Sequence, residues 1–212
     1  REGQLERDVD RLVRNDRIAW GASMIACKDA DAMVTGNIRH YAASIEKLKR
    51  VTDPRPGEEI FGMTMITLKG KTILVADTNV QDFPSPDRLV KVSKSCVRVA
   101  RLFGFDPKVA FLSHSTFGKP ISKNTKHVRE AIDLLRKEKV DFDFDGEMQP
   151  DVALNPVYQE IYPFSKIVGN ANILIMPALH SAAISTKLMK VFGGGKLIGP
   201  LLIGLGSPIE VA

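Results

Sequence analysis

The sequence has few of the features that mark membrane, secreted or metal-binding proteins. It contains no run of 18 apolar residues, and residues 1–17 carry too many charges for a signal peptide. Only two cysteines occur, Cys27 and Cys96, and both lie in apolar helical patterns, which predicts buried free thiols in a reducing cytosol. No cysteine–histidine cluster has the spacing of metal ligands, so we predict no metal site. We therefore expect a cytoplasmic protein without membrane contact.

Aromatic residues are also scarce. They make up 7% of the chain and do not alternate with the lysines and arginines that give a formal net charge of +5. Stacking platforms for single-stranded nucleic acid are therefore missing, and the sequence has no motif that reads a nucleic acid. We predict no nucleic-acid partner, so the basic charge serves an anionic cofactor or solubility. The single tryptophan, Trp20, is predicted to lie in the core.

Apolar residues are plentiful, at 44% of 212 residues, which is enough for one large domain or two small ones with real cores. Ser85 is predicted to cap a helix that has Pro86 at its first position and ends at Gly104. Apolar spacing in the first part of the chain predicts helices over 4–14, 16–26 and 42–51, a short buried strand over 29–36 that ends in Gly36, and a β-hairpin over 60–76.

Strands and helices then alternate, which is typical of parallel βα units. The continuous apolar run at 172–179 indicates a strand that is buried on both faces. A helix follows this strand and is predicted to end at the glycines 193–195. The other elements predicted here are strands at 108–113, 140–145 and 196–205 and a helix at 123–138. The predicted class is α/β with a largely parallel sheet.

Two further motifs favour structural interpretations. GGGKLIG (193–199) follows a helix rather than opening one, and no serine or threonine comes after Lys196, so it predicts a helix C-cap instead of a phosphate-binding loop. The alternation in FDFDGEMQPD (142–151) predicts that the aspartates up to Asp145 lie on a solvated strand face. Four carboxylates of this segment could otherwise perform acid–base chemistry or bind a cation: Asp143, Asp145, Glu147 and Asp151.

The stretch AFLSHSTFGKP (110–120) ends a predicted buried strand with hydroxyls and a glycine. Ligands of open parallel sheets bind beyond the carboxyl ends of the strands, and hydroxyls before a helix N-terminus make an anion site. A polar loop that only caps the next helix explains the same residues, so both interpretations stay open. His114 is predicted to be a surface or packing residue rather than a catalyst. The hydroxyl and glycine residues are Ser113, Ser115, Thr116 and Gly118.

Five segments together resemble motifs of the phosphate acetyl/butyryltransferase family, in order, over most of residues 19–206. DGEMQ and LHSAAISTKL, within the last two segments, are most similar to the C-terminal phosphotransacetylase-like domain of bacterial NADP-dependent malic enzymes. The segments are DADAMVTG (29–36), ILVADTNVQDFPSPDRLVKV (73–92), KVAFLSHSTFG (108–118), DFDGEMQPDVAL (143–154) and ANILIMPALHSAAISTKLMKVFGGGKLIGPLLIGL (171–205).

The resemblance implies a two-lobed fold like that of isocitrate and isopropylmalate dehydrogenases. In such a fold, helices cover both faces of largely parallel sheets, and the active-site cleft lies between the lobes. On this basis we assign residues 1–104 to lobe I, 105–196 to lobe II, and 197–212 to a return to lobe I. The resemblance also implies that the sequence is a fragment of the full domain, with the N-terminal part of lobe I missing and the return truncated.

The sequence departs from the catalytic members of the family at several positions. Those members carry an arginine that meets the acyl phosphate, and Glu46 stands at that position here. A carboxylate repels a phosphoryl group, whereas a guanidinium binds it through two parallel hydrogen bonds. The family's Leu-Asp-Ala-Gly-Asn-Ile is LHSAAI at 179–184, without its Asp and Asn, and the family's Ser-Arg pair would follow position 212. The resemblance therefore implies that the pocket for an acyl-CoA or acyl phosphate is kept and that the ability to transfer the acyl group is lost.

We therefore expect a regulatory domain, itself without catalytic residues, that senses acetyl-CoA or a related acyl-CoA in an NADP-dependent, oxaloacetate-decarboxylating malic enzyme. NADP and a divalent metal, Mg²⁺ or Mn²⁺, would belong to another half of that protein. We also expect a homo-oligomer, a dimer or larger. An active phosphate acetyltransferase, which makes acetyl-CoA from acetyl phosphate and CoA, and an oligomerisation module stay open as alternatives. The resemblance assigns the ligand pocket to Gly36, Arg39, Glu46, Ser113, Ser115, Thr116, Gly118, Gly204 and Pro208, with Lys47, Lys49 and Arg50 as further candidates for the CoA phosphates.

Overall fold

Two sheets organise the structure, a computed structural model that describes residues 5–212. The strands are β1 (Met33–Thr35), β2 (Phe61–Leu68), β3 (Lys71–Ala76), β4 (Lys108–Leu112), β5 (Asp143–Met148), β6 (Ile173–Ile175), β7 (Lys196–Ile203) and β8 (Ile209–Val211). The larger sheet has the order β5-β4-β6-β3-β2-β7, and β1 pairs with β8 in the smaller one. The β5, β4, β6 and β3 strands are parallel, and β2 is antiparallel to both β3 and β7. The predicted α/β class with a mostly parallel sheet is confirmed.

The helices fall close to the predicted positions. The predicted helix over 4–14 corresponds to α1, although residue 4 lies outside the described residues. Ser85 caps α4 as predicted, because its Oγ accepts from the N–H of Arg88 at 3.3 Å and Pro86 opens the helix. The helices are α1 (Glu6–Asn15), α2 (Arg17–Ala26), α3 (Tyr41–Leu48), α4 (Pro86–Leu102), α5 (Lys126–Glu138), α6 (Pro150–Leu154), α7 (Pro156–Gln159) and α8 (Leu179–Gly193).

The larger sheet is covered on both faces. On one face α4 and α5 pack against the strands through buried side chains such as Cys96 and Leu135. On the other face, α6, α8 and the segment 162–171 supply a second apolar cluster that includes Ile167 and Ala182. This arrangement places the carboxyl ends of β3, β4 and β6 at one edge, which is where ligands of open α/β sheets bind.

A third apolar cluster holds the smaller sheet against its helices. It joins α2, α3, β1 and β8 with Ile60, Leu202 and Leu205 from the ends of the larger sheet. The predicted lobe boundaries near residues 104 and 196 stay predictions. The larger sheet takes strands from all three predicted segments, since it contains β2 and β3 as well as β4 to β7.

Three predictions about burial in the first part of the chain are wrong. The strand predicted to be buried over 29–36 forms as β1, but Val34 is 76% exposed and its two neighbours in the strand are only half-buried. Trp20 is 56% exposed, because the buried residues of α2 recur as Ile18, Ala22 and Ile25 and Trp20 lies off that face. Cys27 is exposed just after α2, whereas Cys96 is fully buried as predicted, and burial raises the pKa of its thiol. Within residues 5–212, no helix combines the length and the apolar character needed to cross a bilayer.

Candidate functional site

The loop that was interpreted either as an anion site or as a cap of the next helix surrounds a carboxylate of the protein itself. β4 ends at Leu112, and the residues after it turn over Glu147 on the neighbouring parallel strand β5. The hydroxyl of Ser115 donates to Glu147 Oε1 at 2.9 Å, and the N–H of Gly118 donates to the same oxygen at 3.0 Å. The N–H of Phe117 also donates to the backbone carbonyl of Glu147 at 2.7 Å. The loop is therefore fixed to β5 through both the side chain and the backbone of one residue.

An arginine completes the surroundings of this carboxylate. Arg129 Nη1 on α5 lies 3.2 Å from Glu147 Oε1 and 2.7 Å from Thr125 Oγ1, and its Nη2 donates to the carbonyl of Ser122 at 3.1 Å. Glu147 is only 1% exposed, and a buried charge without partners would cost several kcal/mol. The three donors compensate for this burial. The Ser115 hydroxyl proton and the Gly118 N–H thus bind Glu147 in this structure, and a ligand role for the two residues stays a prediction.

The remaining polar residues of the loop divide between structure and surface. Thr116 is buried, and its Oγ1 accepts from the N–H of Gln149 at 3.1 Å. The side chain of Gln149 donates to the carbonyl of His114 at 2.8 Å, and His114 itself is exposed. Ser113 Oγ lies 3.3 Å from Ser115 Oγ and lines the edge of the adjoining cavity.

This cavity has a volume of about 1070 Å³ and opens at the carboxyl edge of the larger sheet. Its floor is formed by the ends of β4 and β6, at Leu112 and Met176. The starts of α5 and α8 both contribute lining residues, so two helix N-termini border the same space. The other lining residues are Phe83, Pro84, Ser113, His114, Lys123, Thr125, Lys126, His127, Glu130, Pro150, Pro177, Ala178, His180, Ser181 and Ser185.

The charged and ionisable side chains around the cavity are mostly basic. Lys126 lies 3.4 Å from Glu130, the one acidic residue in the described lining, and both side chains are largely exposed. His127 Nε2 is 3.0 Å from the carbonyl of Pro177, and the ring of His180 stands 5.7 Å from that of Phe83. The described lining includes no arginine, so no guanidinium is available there for a bidentate clamp on a phosphoryl group.

Three predicted site residues act where backbone segments approach closely. Gly204 has φ +86°, and a Cβ at that position would overlap the carbonyl oxygen of Glu59. A Cβ at Gly36, with φ +119°, would likewise overlap the carbonyl oxygen of Ala212. The carbonyl of Pro208 accepts a hydrogen bond from β1 at 3.0 Å. Gly36 and Pro208 thus lie at contacts within the smaller sheet, Gly204 lies where the chain after β7 approaches the chain before β2, and none of the three lines the cavity.

The charged candidates from the resemblance lie beside the third apolar cluster. Glu46 is on the outer side of α3, where its side chain is 70% exposed and Oε1 is 3.4 Å from Lys49 Nζ. Arg39 and Lys47 both bind Asp16, the residue that caps α2. Burial by itself raises the pKa of Asp16, but hydrogen bonds from Lys47, Arg39 and two backbone N–H groups hold it well below its ordinary value of 3.8. A ligand role for these residues stays a prediction.

Sequence reasoning missed the two buried carboxylates of β5. Asp145 was predicted on a solvated face, but it is 2% exposed, whereas Asp143 is exposed as predicted. Asp145 accepts from the N–H of Lys166 at 2.8 Å and lies 3.3 Å from Arg136 Nη2. The signal that could have revealed Glu147 is the pairing of an STFG loop with a following DGE strand in one parallel sheet.

Comparison with known proteins gives one family. The family model described as phosphate acetyl/butaryl transferase matches residues 1–212. The NADP-dependent malic enzyme of Rhizobium meliloti is 46% identical over 212 residues, which are 100% of this chain and 28% of that protein. The phosphate acetyltransferase of Staphylococcus aureus is 28% identical over 216 residues, covering 99% of this chain and 66% of that protein.

A solved structure resembles this fold as well. A phosphotransacetylase from Streptococcus pyogenes matches with a TM-score of 0.89 and 29% identity, over 96% of this chain and 63% of that one. The chain therefore spans under a third of the malic enzyme that it matches and about two thirds of the two transferases.

Proposed function

This chain belongs to the phosphate acetyl/butaryl transferase family, and from that premise we propose that it is a non-catalytic regulatory domain of an NADP-dependent malic enzyme. In this proposal the cavity at the carboxyl edge of the larger sheet binds acetyl-CoA or a related acyl-CoA. The chain is 46% identical to a malic enzyme and 28% identical to a phosphate acetyltransferase. This difference supports a malic enzyme, rather than a phosphate acetyltransferase, as the parent protein.

The observation that carries the proposal is the composition of the cavity. A volume of about 1070 Å³ is slightly above the usual range for small-molecule sites, so it has room for a ligand as large as an acyl-CoA. Lys123, Lys126 and the histidines at its rim suit the phosphates of an acyl-CoA, and two helix N-termini add favourable dipoles. Apolar lining residues such as Leu112 and Met176 suit the uncharged pantetheine arm.

The same composition disfavours transferase chemistry. Electrostatic stabilisation of the reacting phosphoryl group supplies a large share of catalysis in such reactions, and the described lining of the cavity offers lysines but no arginine. Ser115 and Gly118 are already bonded to Glu147. Glu46, which replaces the family's arginine, faces solvent beside Lys49, so it supplies no clamp either. An active phosphate acetyltransferase remains the second candidate, because its loop motif is kept here.

The parent protein in this proposal is a cytoplasmic malate dehydrogenase that decarboxylates oxaloacetate. NADP and the divalent metal, Mg²⁺ or Mn²⁺, bind its malate-oxidising part, which is outside these residues. Regulation requires that acetyl-CoA bind one global state of the enzyme more tightly than another, because only differential affinity shifts an equilibrium.

The test uses the full-length enzyme in two assays. Malate oxidation is followed with and without acetyl-CoA, and acetyl-CoA formation is followed from acetyl phosphate and CoA. We expect a saturable change in the malate rate and no transferase turnover. A malate rate that ignores acetyl-CoA would contradict the regulatory role, and turnover that Lys126→Ala abolishes would favour the active transferase.

We also propose that the protein self-associates through α8. The inner side of this helix packs on the sheet through Ala182 and Thr186, yet its outer side is apolar too. A helix that is apolar on both sides is usually buried by neighbouring protein on both sides. The outer stripe is Ile184, Leu188, Val191 and Phe192, which are 49% to 86% exposed.

In the proposed dimer, the stripes of two α8 helices pack antiparallel to each other across a two-fold axis. Both subunits then use the same surface, as an isologous interface requires. We expect Leu188→Glu to lower the molecular mass measured by sedimentation to that of the next smaller assembly, whereas Lys187→Glu, beside the stripe, leaves it unchanged. An unaltered mass in both variants would exclude this interface.

A further inference from the structure

A second apolar surface lies on the segment after α6. Five large side chains here, with exposed fractions between 44% and 74%, project within twelve residues of chain. We call this surface the 157–168 ridge, and its members are Val157, Tyr158, Ile161, Phe164 and Val168. The only charges within it are Glu160 and Lys166, so the ridge has no net charge and suits an apolar protein surface rather than a polyanion.

The ridge is held firmly in place. Ile167 is 2% exposed and belongs to the apolar cluster under the sheet, together with the partly buried Tyr162. The N–H of Lys166 donates to the buried Asp145 at 2.8 Å, and the side chain of Gln159 donates to the carbonyl of Gly169. Exposure of the ridge therefore follows from how the fold anchors this segment and is not a sign of loose packing.

Aromatic contacts connect the ridge to the loop beside the cavity. The ring of Phe117 lies 4.9 Å from that of Phe164 and 5.3 Å from that of Tyr162. Phe117 belongs to the same loop as Ser113 and His114, which line the cavity. A change in this loop on ligand binding would therefore reach the ridge through packed rings, because closely packed groups transmit displacement.

We propose that the 157–168 ridge is the docking surface for the malate-oxidising part of the same enzyme, and that Phe117 couples this contact to the ligand cavity. The inference rests on the proposed function, in which the malate-oxidising part must contact this domain. The matched malic enzyme is covered over only 28% of its length, which leaves ample chain to supply the partner surface. The outer faces of α4 and α5 carry charged residues such as Lys91, Arg98 and Glu130. Within residues 5–212, the ridge has more exposed large apolar side chains than any other segment of twelve residues, which favours it as the surface for this contact.

A photo-crosslinking residue at position 164 of the full-length enzyme tests the contact directly. We expect adducts, mapped by peptide mass spectrometry, that join position 164 to the malate-oxidising part. Position 103 is the matched control, because Phe103 is also an exposed aromatic, at 51%, but lies at the end of α4. Adducts only within this domain or its second copy, or none at all, would overturn the proposal whether or not acetyl-CoA regulates the enzyme.

Substitutions test the coupling separately. We expect Phe164→Ser and Ile161→Ser to keep acetyl-CoA affinity within about twofold while the regulatory effect, about 5- to 150-fold in ordinary allosteric proteins, falls toward 1. Phe103→Ser should keep both. Full regulation in both ridge variants would overturn the coupling. Absence of acetyl-CoA binding in the unaltered enzyme would instead count against the proposed function, and the crosslinking result would still decide the docking surface.

Discussion

Glu147 is the residue whose loss the structure predicts to be most damaging to the loop beside the cavity. In Glu147→Ala the hydroxyl of Ser115, the N–H of Gly118 and Arg129 all lose a partner at 2.9 to 3.2 Å. Breaking a buried ion pair costs about 3–5 kcal/mol. The lower figure applies here, since the side chain of Arg129 is 34% exposed and keeps its bonds to Thr125 and Ser122.

Two serines of the same loop provide a graded comparison. Ser115→Ala removes one hydrogen bond to a charged, buried acceptor, which predicts a loss of about 1.5–3 kcal/mol in the free energy of unfolding. Ser113→Ala is the matched control, because its hydroxyl lies 3.3 Å from Ser115 Oγ and makes no bond to Glu147. Its expected cost is about 1 kcal/mol or less. In the Glu147→Ala background, Ser115→Ala should cost much less than it does alone, because the two residues interact directly.

Urea denaturation of the chain, followed by circular dichroism, measures all of these values. At a slope of about 3 kcal/mol per molar urea, the Glu147→Ala midpoint should fall by about 1 M. The fluorescence of Trp20 is less suitable, because this residue is exposed on α2 and far along the chain from the loop. The reasoning would be refuted if Glu147→Ala cost less than about 1 kcal/mol, or if the two serine variants were equally destabilised.

Two other predictions concern Asp16, which caps α2, and Gly204, which directly follows β7. Asp16→Asn keeps a capping oxygen but removes the charge opposite Arg39 and Lys47, which predicts a loss of about 1–2 kcal/mol, limited by the 42% exposure of the Arg39 side chain. Because the folded pKa of Asp16 lies below 3.8, this advantage of the unaltered protein is complete above about pH 5 and shrinks as the pH falls further. Thermal unfolding between pH 7 and pH 2.5 checks this trend, and a constant difference would contradict it. Gly204→Ala should cost more than about 2 kcal/mol, since φ is positive and a Cβ meets the Glu59 carbonyl. Gly70→Ala, with φ +75° and nothing within 4 Å, should cost only about 1 kcal/mol in the same denaturation assay, and equal costs would refute the overlap.

Most elements of the fold could be predicted from the sequence because their signals are local. Ser85 and Pro86 mark the start of α4, and the apolar spacing after them shows which side is buried. The exposure of Trp20 was not predictable in this way, since apolar spacing identifies a helix face only where the surrounding pattern is unambiguous. Asp145 shows the complementary limit. Alternation assigns it to one face of β5, but only the folded chain brings Lys166 and Arg136 over that face.

The site was predictable in outline for a similar reason. The hydroxyl loop after β4 was identified from its position at the end of a buried strand, and the structure places it beside the cavity at the carboxyl edge of the larger sheet. Its actual partner was not predictable, because Glu147 lies 32 residues after Ser115 and the pairing of β4 with β5 brings them together. The replacement of the family's arginine by Glu46 stays a prediction, and sequence alone gave no sign that this side chain faces solvent.

Calorimetric titration of the chain with acetyl-CoA tests the central claim most directly. Saturable binding of one acetyl-CoA per chain is predicted. The double variant Lys123→Ala/Lys126→Ala should bind acetyl-CoA more weakly, because both lysines line the cavity, whereas Glu46→Ala should bind it unchanged, because Glu46 does not line the cavity. No detectable heat of binding, or binding that Glu46→Ala weakens while the lysine variant keeps it, would contradict the assignment of the ligand to this cavity.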